Sequence, residues 1–399
     1  MWAAIACVGI VVIALAVALP LIFLRGGDAD TVSTTVASTS TSVTTPPTSA
    51  STTETTEGAT TTTEAATTTT AKADSSIPGD SAGAWSAVDV AGLSLNVNEV
   101  AVSDDALLFR TAADTGPGSI YAYIFASGKT VQLPTGGTTI GYMDVDGALA
   151  VWWEAEGADV TANAHIYAYH LPDGPKVEVA SGAGVTYPHV KGRLITWADG
   201  KPLASDPTNW YDYVIKAAAV DAQGQPTGAP TTLVDAGSAI ASSTGDTSWY
   251  YSLSDGFIAW EQQYGSGAIG PGTYMMDLGE MQPWRVDPDA WRPSLYKNRV
   301  VFTRNGVETA QFGSKNAVTL DASADFATAA PTYAAFFRPK VAGSGTAWAV
   351  VARGYNGKYE QVLLDDAGSP PWLLSPIAAS AHRIAFAFGG KLQLFSWQE

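Results

Sequence analysis

The sequence predicts an all-β fold: a β-propeller of seven blades, or six if one weak repeat is discounted, after a single N-terminal transmembrane helix and a disordered Ser/Thr-rich linker. Three observations predict it. The chain opens on an uninterrupted apolar or small-residue run, Trp2 to Leu24, and then passes through a stretch dominated by Thr and Ser. Beyond that, a short apolar unit ending in an aromatic recurs at intervals of about 45 residues with one long exception, a period that belongs to propeller blades rather than helical solenoids. The expected divisions are 1–25 for the anchor, 26–80 for the stalk and 81–399 for the propeller.

The first run suits a membrane. Roughly 20 residues at 1.5 Å each cross a hydrocarbon core of about 30 Å. Pro20 sits near the end of the run, where a lost backbone bond is tolerated, and Arg25, Gly26 and Gly27 close it. A cleaved signal peptide is the rival, since Ala16-Val17-Ala18 has the small-x-small form of a cleavage site. No basic segment precedes the run, however, and it continues past Ala18 to Leu24, so a retained anchor is favoured. A lipid anchor on Cys7 is disfavoured because Ala4-Ile5-Ala6 is a poor recognition sequence for that modification.

Residues 31–71 are largely Thr and Ser with Pro46-Pro47, too poor in large apolar groups to offset the entropy of ordering. Arg25 alone would place the following chain on the cytoplasmic side. Ser/Thr/Pro spacers instead lift domains away from the outer face, with or without sugars, and the expected location is a single-pass cell-membrane protein facing the extracytoplasmic side.

Composition bounds the rest. Lys and Arg number 21 against 38 Asp and Glu, a net charge of −17, and no basic cluster appears, which excludes nucleic acid as a partner. The only cysteine is Cys7, so residues 81–399 hold no disulfide or thiolate site. Thirteen Trp and 16 Tyr, with no long charged helical pattern, favour strands with aromatic packing.

Each repeat reads as a turn followed by a buried second strand. The copies are Asp105 to Phe109, Gly147 to Trp152, Gly192 to Trp197, Gly256 to Trp260, Asn298 to Phe302 and His382 to Phe386, with a degraded copy at Ala347 to Val351. Alternating third strands follow at Ile120–Ile124, Ile166–Tyr169 and Tyr213–Ala217, then turns such as Pro172-Asp173-Gly174 and short outer strands at Val131–Leu133 and Val177–Val179. Four strands per unit make a blade. The last unit, from Ile377, has room for three strands, so a fourth is expected from the region Trp85 to Val97, through the alternation Leu93-Ser-Leu95-Asn-Val97. Such sharing removes an exposed edge.

Segments such as Tyr187-Pro-His-Val-Lys-Gly-Arg-Leu-Ile-Thr-Trp-Ala-Asp199 and Ile166-Tyr-Ala-Tyr-His-Leu-Pro-Asp-Gly174 resemble TolB-type and WD40-like bacterial propeller repeats. The resemblance covers most of 99–399. It implies a fold and a binding scaffold, and its motifs carry no catalytic group.

Counting ten residues back from the second-strand aromatics gives Tyr142, Tyr187, Tyr250 and Arg292, with Trp291 beside it; two residues on lie Asp144, His189, Ser252 and Ser294. Innermost strands line a propeller's channel. The tyrosines are expected mainly to pack between blades, and the candidate ligand-binding residues are Tyr142, His189, Trp291 and Arg292. Asp, His and Ser suggest a catalytic triad, but equivalent positions on neighbouring blades are expected to lie beyond hydrogen-bond reach. No catalytic residue, cofactor or metal site is therefore expected. His165 and His170, an odd number apart, should face opposite sides of a strand. The function expected is non-catalytic binding or scaffolding of a protein, peptide or cell-envelope glycan. The alternative is a glycosidase or lyase using carboxylates in the channel, with Asp144 and Glu154 as the nearest pair.

Overall fold

The structure is a computed structural model that describes residues 83–90, 96–111, 118–137, 139–157, 163–203, 206–240, 251–262, 270–340, 347–365 and 377–398. The expected span at Trp2 to Leu24, the stalk and Tyr250 lie outside the described residues. Among those described, no helix is long and apolar enough to cross a membrane.

The described chain begins with β1 (Ala84–Ala87) and continues as seven four-stranded antiparallel sheets. Blade 1 is β2 (Val97–Val102), β3 (Ala106–Thr111), β4 (Ser119–Ile124) and β5 (Lys129–Gln132). Blade 2 is β6 (Thr139–Asp146), β7 (Leu149–Ala155), β8 (Asn163–His170) and β9 (Lys176–Ala183). Blade 3 is β10 (Val185–Lys191), β11 (Leu194–Leu203), β12 (Asp206–Ala219) and β13 (Thr231–Ile240). Blade 4 is β14 (Tyr251–Ser254), β15 (Phe257–Gln262), β16 (Gly272–Asp277) and β17 (Gln282–Asp287). Blade 5 is β18 (Trp291–Tyr296), β19 (Arg299–Thr303), β20 (Val307–Gln311) and β21 (Val318–Asp321). Blade 6 is β22 (Asp325–Ala329), β23 (Tyr333–Pro339), β24 (Trp348–Gly354) and β25 (Glu360–Leu364). Blade 7 is β26 (Ala378–Ala379), β27 (Arg383–Phe388) and β28 (Lys391–Gln398), completed by β1.

Each second strand carries one fully buried aromatic at the same place: Phe109, Trp152, Trp197, Trp260, Phe302, Phe336 and Phe386, none more than 2% exposed. These rings sit in apolar layers drawn from two successive blades, as where Leu108 and Ile120 of blade 1 join Trp152 of blade 2. The repeat period therefore exists because every blade buries its aromatic against a neighbour.

Two expectations are corrected. The closing strand is Ala84–Ala87, with Trp85 opposite Trp397; Val97 instead starts the innermost strand of blade 1, and 91–95 lie outside the described residues. Trp85 supplies the reason: it packs edge-on against both Trp397 and Tyr333, burial that the smaller side chains of Leu93 to Val97 would not match. The copy at Ala347–Val351 belongs to a third strand, β24. The second strand of blade 6 is Tyr333–Pro339, whose Tyr333-Ala-Ala lead carries no Leu, Ile or Val ahead of Phe336, which hid it from the repeat pattern.

Candidate binding channel

The seven innermost strands present one residue each at the same register, opposite the residue preceding the buried aromatic. In blade order they are Ala101, Asp144, His189, Ser252, Ser294, Thr328 and Ala378. All seven line one central cavity of about 250 Å³, which forms the waist of the channel. Asp144, His189, Ser252 and Ser294 follow from the sequence spacing. Ala101, Thr328 and Ala378 were missed, the first and last because they are apolar and the middle one because blade 6 was misplaced.

The polar waist residues link successive blades. Val190 N–H donates to Asp144 Oδ2 at 3.1 Å, Leu295 N–H to Ser252 Oγ at 3.0 Å and Ala329 N–H to Ser294 Oγ at 2.9 Å. Thr328 Oγ1 donates to the carbonyl of Ile377 at 2.6 Å. Each bond ties a blade to the backbone of the next, beside the following waist residue. Short polar side chains that reach the main chain of the adjacent blade are what this register needs.

One of these residues does more than bridge backbones. His189 Nδ1 lies 3.1 Å from Asp144 Oδ2, against the expectation that equivalent positions on neighbouring blades stay out of reach. Near the axis the blades converge, and two side chains of opposite polarity close the remaining gap. Val145 N–H, at 2.8 Å, also holds Asp144 through Oδ1. Because an ionised carboxylate only accepts, the contact puts a proton on Nδ1, and in the neutral form of the ring Nε2 is then the acceptor. Tyr251 packs edge-on against His189 at 4.6 Å, and burial pushes its phenol far above the ordinary range, outweighing the Thr196 hydrogen bond. Ser252 Oγ faces Leu295, so the described residues contain an Asp–His pair without a bonded serine.

Above the waist the inner strands bulge. Tyr142, Tyr187, Arg292 and Phe326 occupy one equivalent position there with φ of 45°, 49°, 52° and 53°, a left-handed conformation unusual for large side chains. Carboxylates brace the bulges: Met143 N–H donates to Glu99 Oε1 at 3.1 Å, and Arg292 N–H to Glu261 Oε2 at 3.0 Å. Tyr142 and Tyr187 are partly buried, their rings 4.1 Å apart and tilted, each packed against an interblade core layer. Both tyrosines thus occupy packing positions, with Phe326 as a further aromatic of the set.

Arg292 lies between the rings of Trp291 and Phe326, at 4.2 and 3.9 Å, and pairs with Asp325 at 2.9 Å. Trp291 is 37% exposed, one of the few large apolar side chains so open. Of the candidate binding residues, His189 and Arg292 line the waist cavity, while Trp291 and Tyr142 flank it. Below the waist the bore widens into a more polar space of about 410 Å³ bordered by Asp146, Lys191, Ser254 and Tyr296. There Lys191 pairs with Asp146 at 2.6 Å; burial would lower its pKa, but that carboxylate raises it above the ordinary lysine range.

Glu154, paired with Asp144 in the glycosidase reading, does not line either space. It is buried on β7, where it accepts from Trp152 Nε1 at 2.7 Å and from Lys176 Nζ at 2.8 Å. Alternation along the strand points it between blades rather than into the bore.

No family model matches the sequence, and no curated protein matches it. Solved structures do resemble it. The tricorn protease superposes with a TM-score of 0.51 at 9% identity, over 75% of this chain and 33% of that one, so the chain spans about a third of that protein's length. The β-propeller domain of the Trilobed protease from Pyrococcus furiosus gives a TM-score of 0.47 at 6% identity, over 76% and 93% of the two chains. TolB from Acinetobacter baumannii gives 0.39 at 11% identity, over 76% and 78%. Likeness at these identities speaks to architecture alone. The chain is a seven-bladed β-propeller, and TolB proteins and other propellers are among its structural neighbours.

Proposed function

We propose that this propeller is a non-catalytic binding module, held outside the cytoplasm by the N-terminal anchor and stalk, that takes its ligand at the channel mouth beside Trp291. The observation that carries the reading is how the ionised groups around the bore are matched. Asp144 is held by three N–H donors, Arg292 by Asp325 and Lys191 by Asp146. Groups matched this way give a shaped and polar surface, and although His189 keeps Nε2 open, the Ser252 oxygen beside it is engaged by Leu295 N–H, so the Asp144–His189 pair has no nucleophile bonded to it among the described residues. The exposed Trp291 ring adds a flat contact area at low entropic cost.

A photo-reactive phenylalanine analogue placed at Trp291 in the full-length protein is expected to cross-link a ligand in cells, while the same group at Val318, on the outer strand β21, does not. Equal labelling at both places would sink the proposal. So would hydrolysis of aryl glycosides or esters that disappears in Asp144→Asn.

A further inference from the structure

The waist of the channel divides into two arcs. Blades 7 and 1 contribute Ala378 and Ala101, backed by Val100 and Ile377, and form an apolar wall. Blades 2 to 6 contribute the polar set. Its hydrogen-bonding capacity can be counted atom by atom. His189 gives Nδ1–H to Asp144, so Nε2 accepts. Ser252 and Ser294 each already accept a backbone N–H, so their hydroxyl protons remain to be donated. Thr328 spends its proton on Ile377 and keeps its lone pairs. Going round the bore, the spare capacity is acceptor, donor, donor, acceptor.

The charged groups that line the waist already have partners, Asp144 in His189 and two backbone N–H groups and Arg292 in Asp325. A peptide terminus, a phosphate or a uronate would each need an unmatched counter-charge, and burying it without one is costly. A hydroxyl group, by contrast, donates and accepts at once, and neighbouring hydroxyls on a ring meet mixed donors and acceptors well. A sugar ring also has a C–H face that suits an apolar wall or a flat aromatic, and Trp291 stands exposed at the mouth.

We infer that the waist recognises one residue of a neutral saccharide, its hydroxyl edge toward His189, Ser252, Ser294 and Thr328 and its C–H face toward Ala101 and Ala378. This rests on the binding role proposed above and names the ligand class of the same site.

Calorimetric titration of the full-length protein with neutral trisaccharides of glucose, mannose, galactose and N-acetylglucosamine tests it, with trigalacturonate as the charged comparison and a phage-displayed heptapeptide library in parallel. At least one neutral trisaccharide is expected to bind, and trigalacturonate at least tenfold more weakly. Thr328→Val and Ser252→Ala should each weaken it about three- to tenfold, the worth of one hydrogen bond, and Thr328→Ser should restore it. Ala378→Leu adds bulk to the bore without removing a hydrogen bond and should abolish binding at an unchanged melting temperature. Saccharide binding untouched by Ala378→Leu, or trigalacturonate bound as tightly, overturns the inference. Heptapeptides bound and blocked by Ala378→Leu with no saccharide bound overturn the ligand class and leave the binding role standing. Neither ligand bound overturns both.

Discussion

The side-chain amide of Gln361 holds both backbone polar groups of Trp85: Oε1 accepts from Trp85 N–H at 2.8 Å and Nε2 donates to Trp85 C=O at 2.8 Å. Gln361 lies on β25, the outer strand of blade 6, and Trp85 on β1, the outer strand of blade 7. Most links between blades run near the axis, so this is a clasp at the rim. Tyr359 braces it by donating its hydroxyl to the same Oε1 at 2.6 Å.

Gln361→Ala is expected to cost about 1–3 kcal/mol by stranding two partly buried backbone groups. Gln361→Glu keeps the acceptor and loses the donor, and should fall between. Thermal unfolding of the three proteins checks the order. Deleting the chain through Ala87 should cost much more than deleting 31–71, and equal melting temperatures would show that β1 does not close the ring.

A second prediction concerns two equivalent places. Trp152 Nε1 donates to Glu154 two residues on, whereas Trp260 Nε1 and Gln262 Oε1, the matching pair in blade 4, make no hydrogen bond. Glu154→Leu strands Trp152 Nε1 and Lys176 and should cost about 2–3 kcal/mol, discounted because Lys176 is 23% exposed. Gln262→Leu removes an oxygen that has no partner and should cost under about 1 kcal/mol or stabilise. Denaturant midpoints compare them, and a costlier Gln262→Leu would show the oxygen to be engaged.

Acid should loosen blades 5 and 6 through Arg338. Burial alone would push the Asp321 carboxyl up, but Ser323 and Arg338 donate to it and hold it below the usual range. Glu360 is lowered chiefly by its hydrogen bonds to Arg338, at 2.8 and 2.9 Å. Both folded values lie below the unfolded ones, so ionisation stabilises the fold above about pH 4, and this is lost as pH falls through the depressed values. Arg338→Gln should therefore flatten the fall in melting temperature between about pH 5 and pH 2. An unchanged slope would show that other carboxylates govern acid unfolding.

The mouth separates packing from exposure. Tyr187→Ala opens a partly filled interblade layer and should cost about 2 kcal/mol, less than a fully buried ring would. Trp291→Ala should change stability by about 0.5 kcal/mol or less, as exposed positions do. Calorimetric unfolding of both variants decides; a large loss at Trp291 would make it a packing residue like its neighbours.

The four-stranded blade repeat and the shared position of Tyr142, Tyr187 and Arg292 could be read from the chain, since strand alternation and one buried aromatic per repeat are local patterns. Blade 6 escaped because Tyr333-Ala-Ala carries no Leu, Ile or Val ahead of Phe336, whereas every other copy does. The Asp144–His189 contact escaped for a different reason: residues 45 positions apart meet only because the blades converge on an axis, a distance no local period encodes. Trp85 looked less suited to close the ring than the alternating Leu93 to Val97, since strand alternation says nothing of which strand has a tryptophan slot waiting for it.

Placing the closing strand first has a mechanical consequence. β1 is the part of the described chain nearest the N-terminus, and it is held by four residue pairs to β28 and by Gln361. Tension arriving from the preceding residues therefore loads the ring at its join before any other strand carries force. The clasp at Trp85 is then the first contact such a pull would meet, and its rupture would open blade 7 while six complete sheets stay closed.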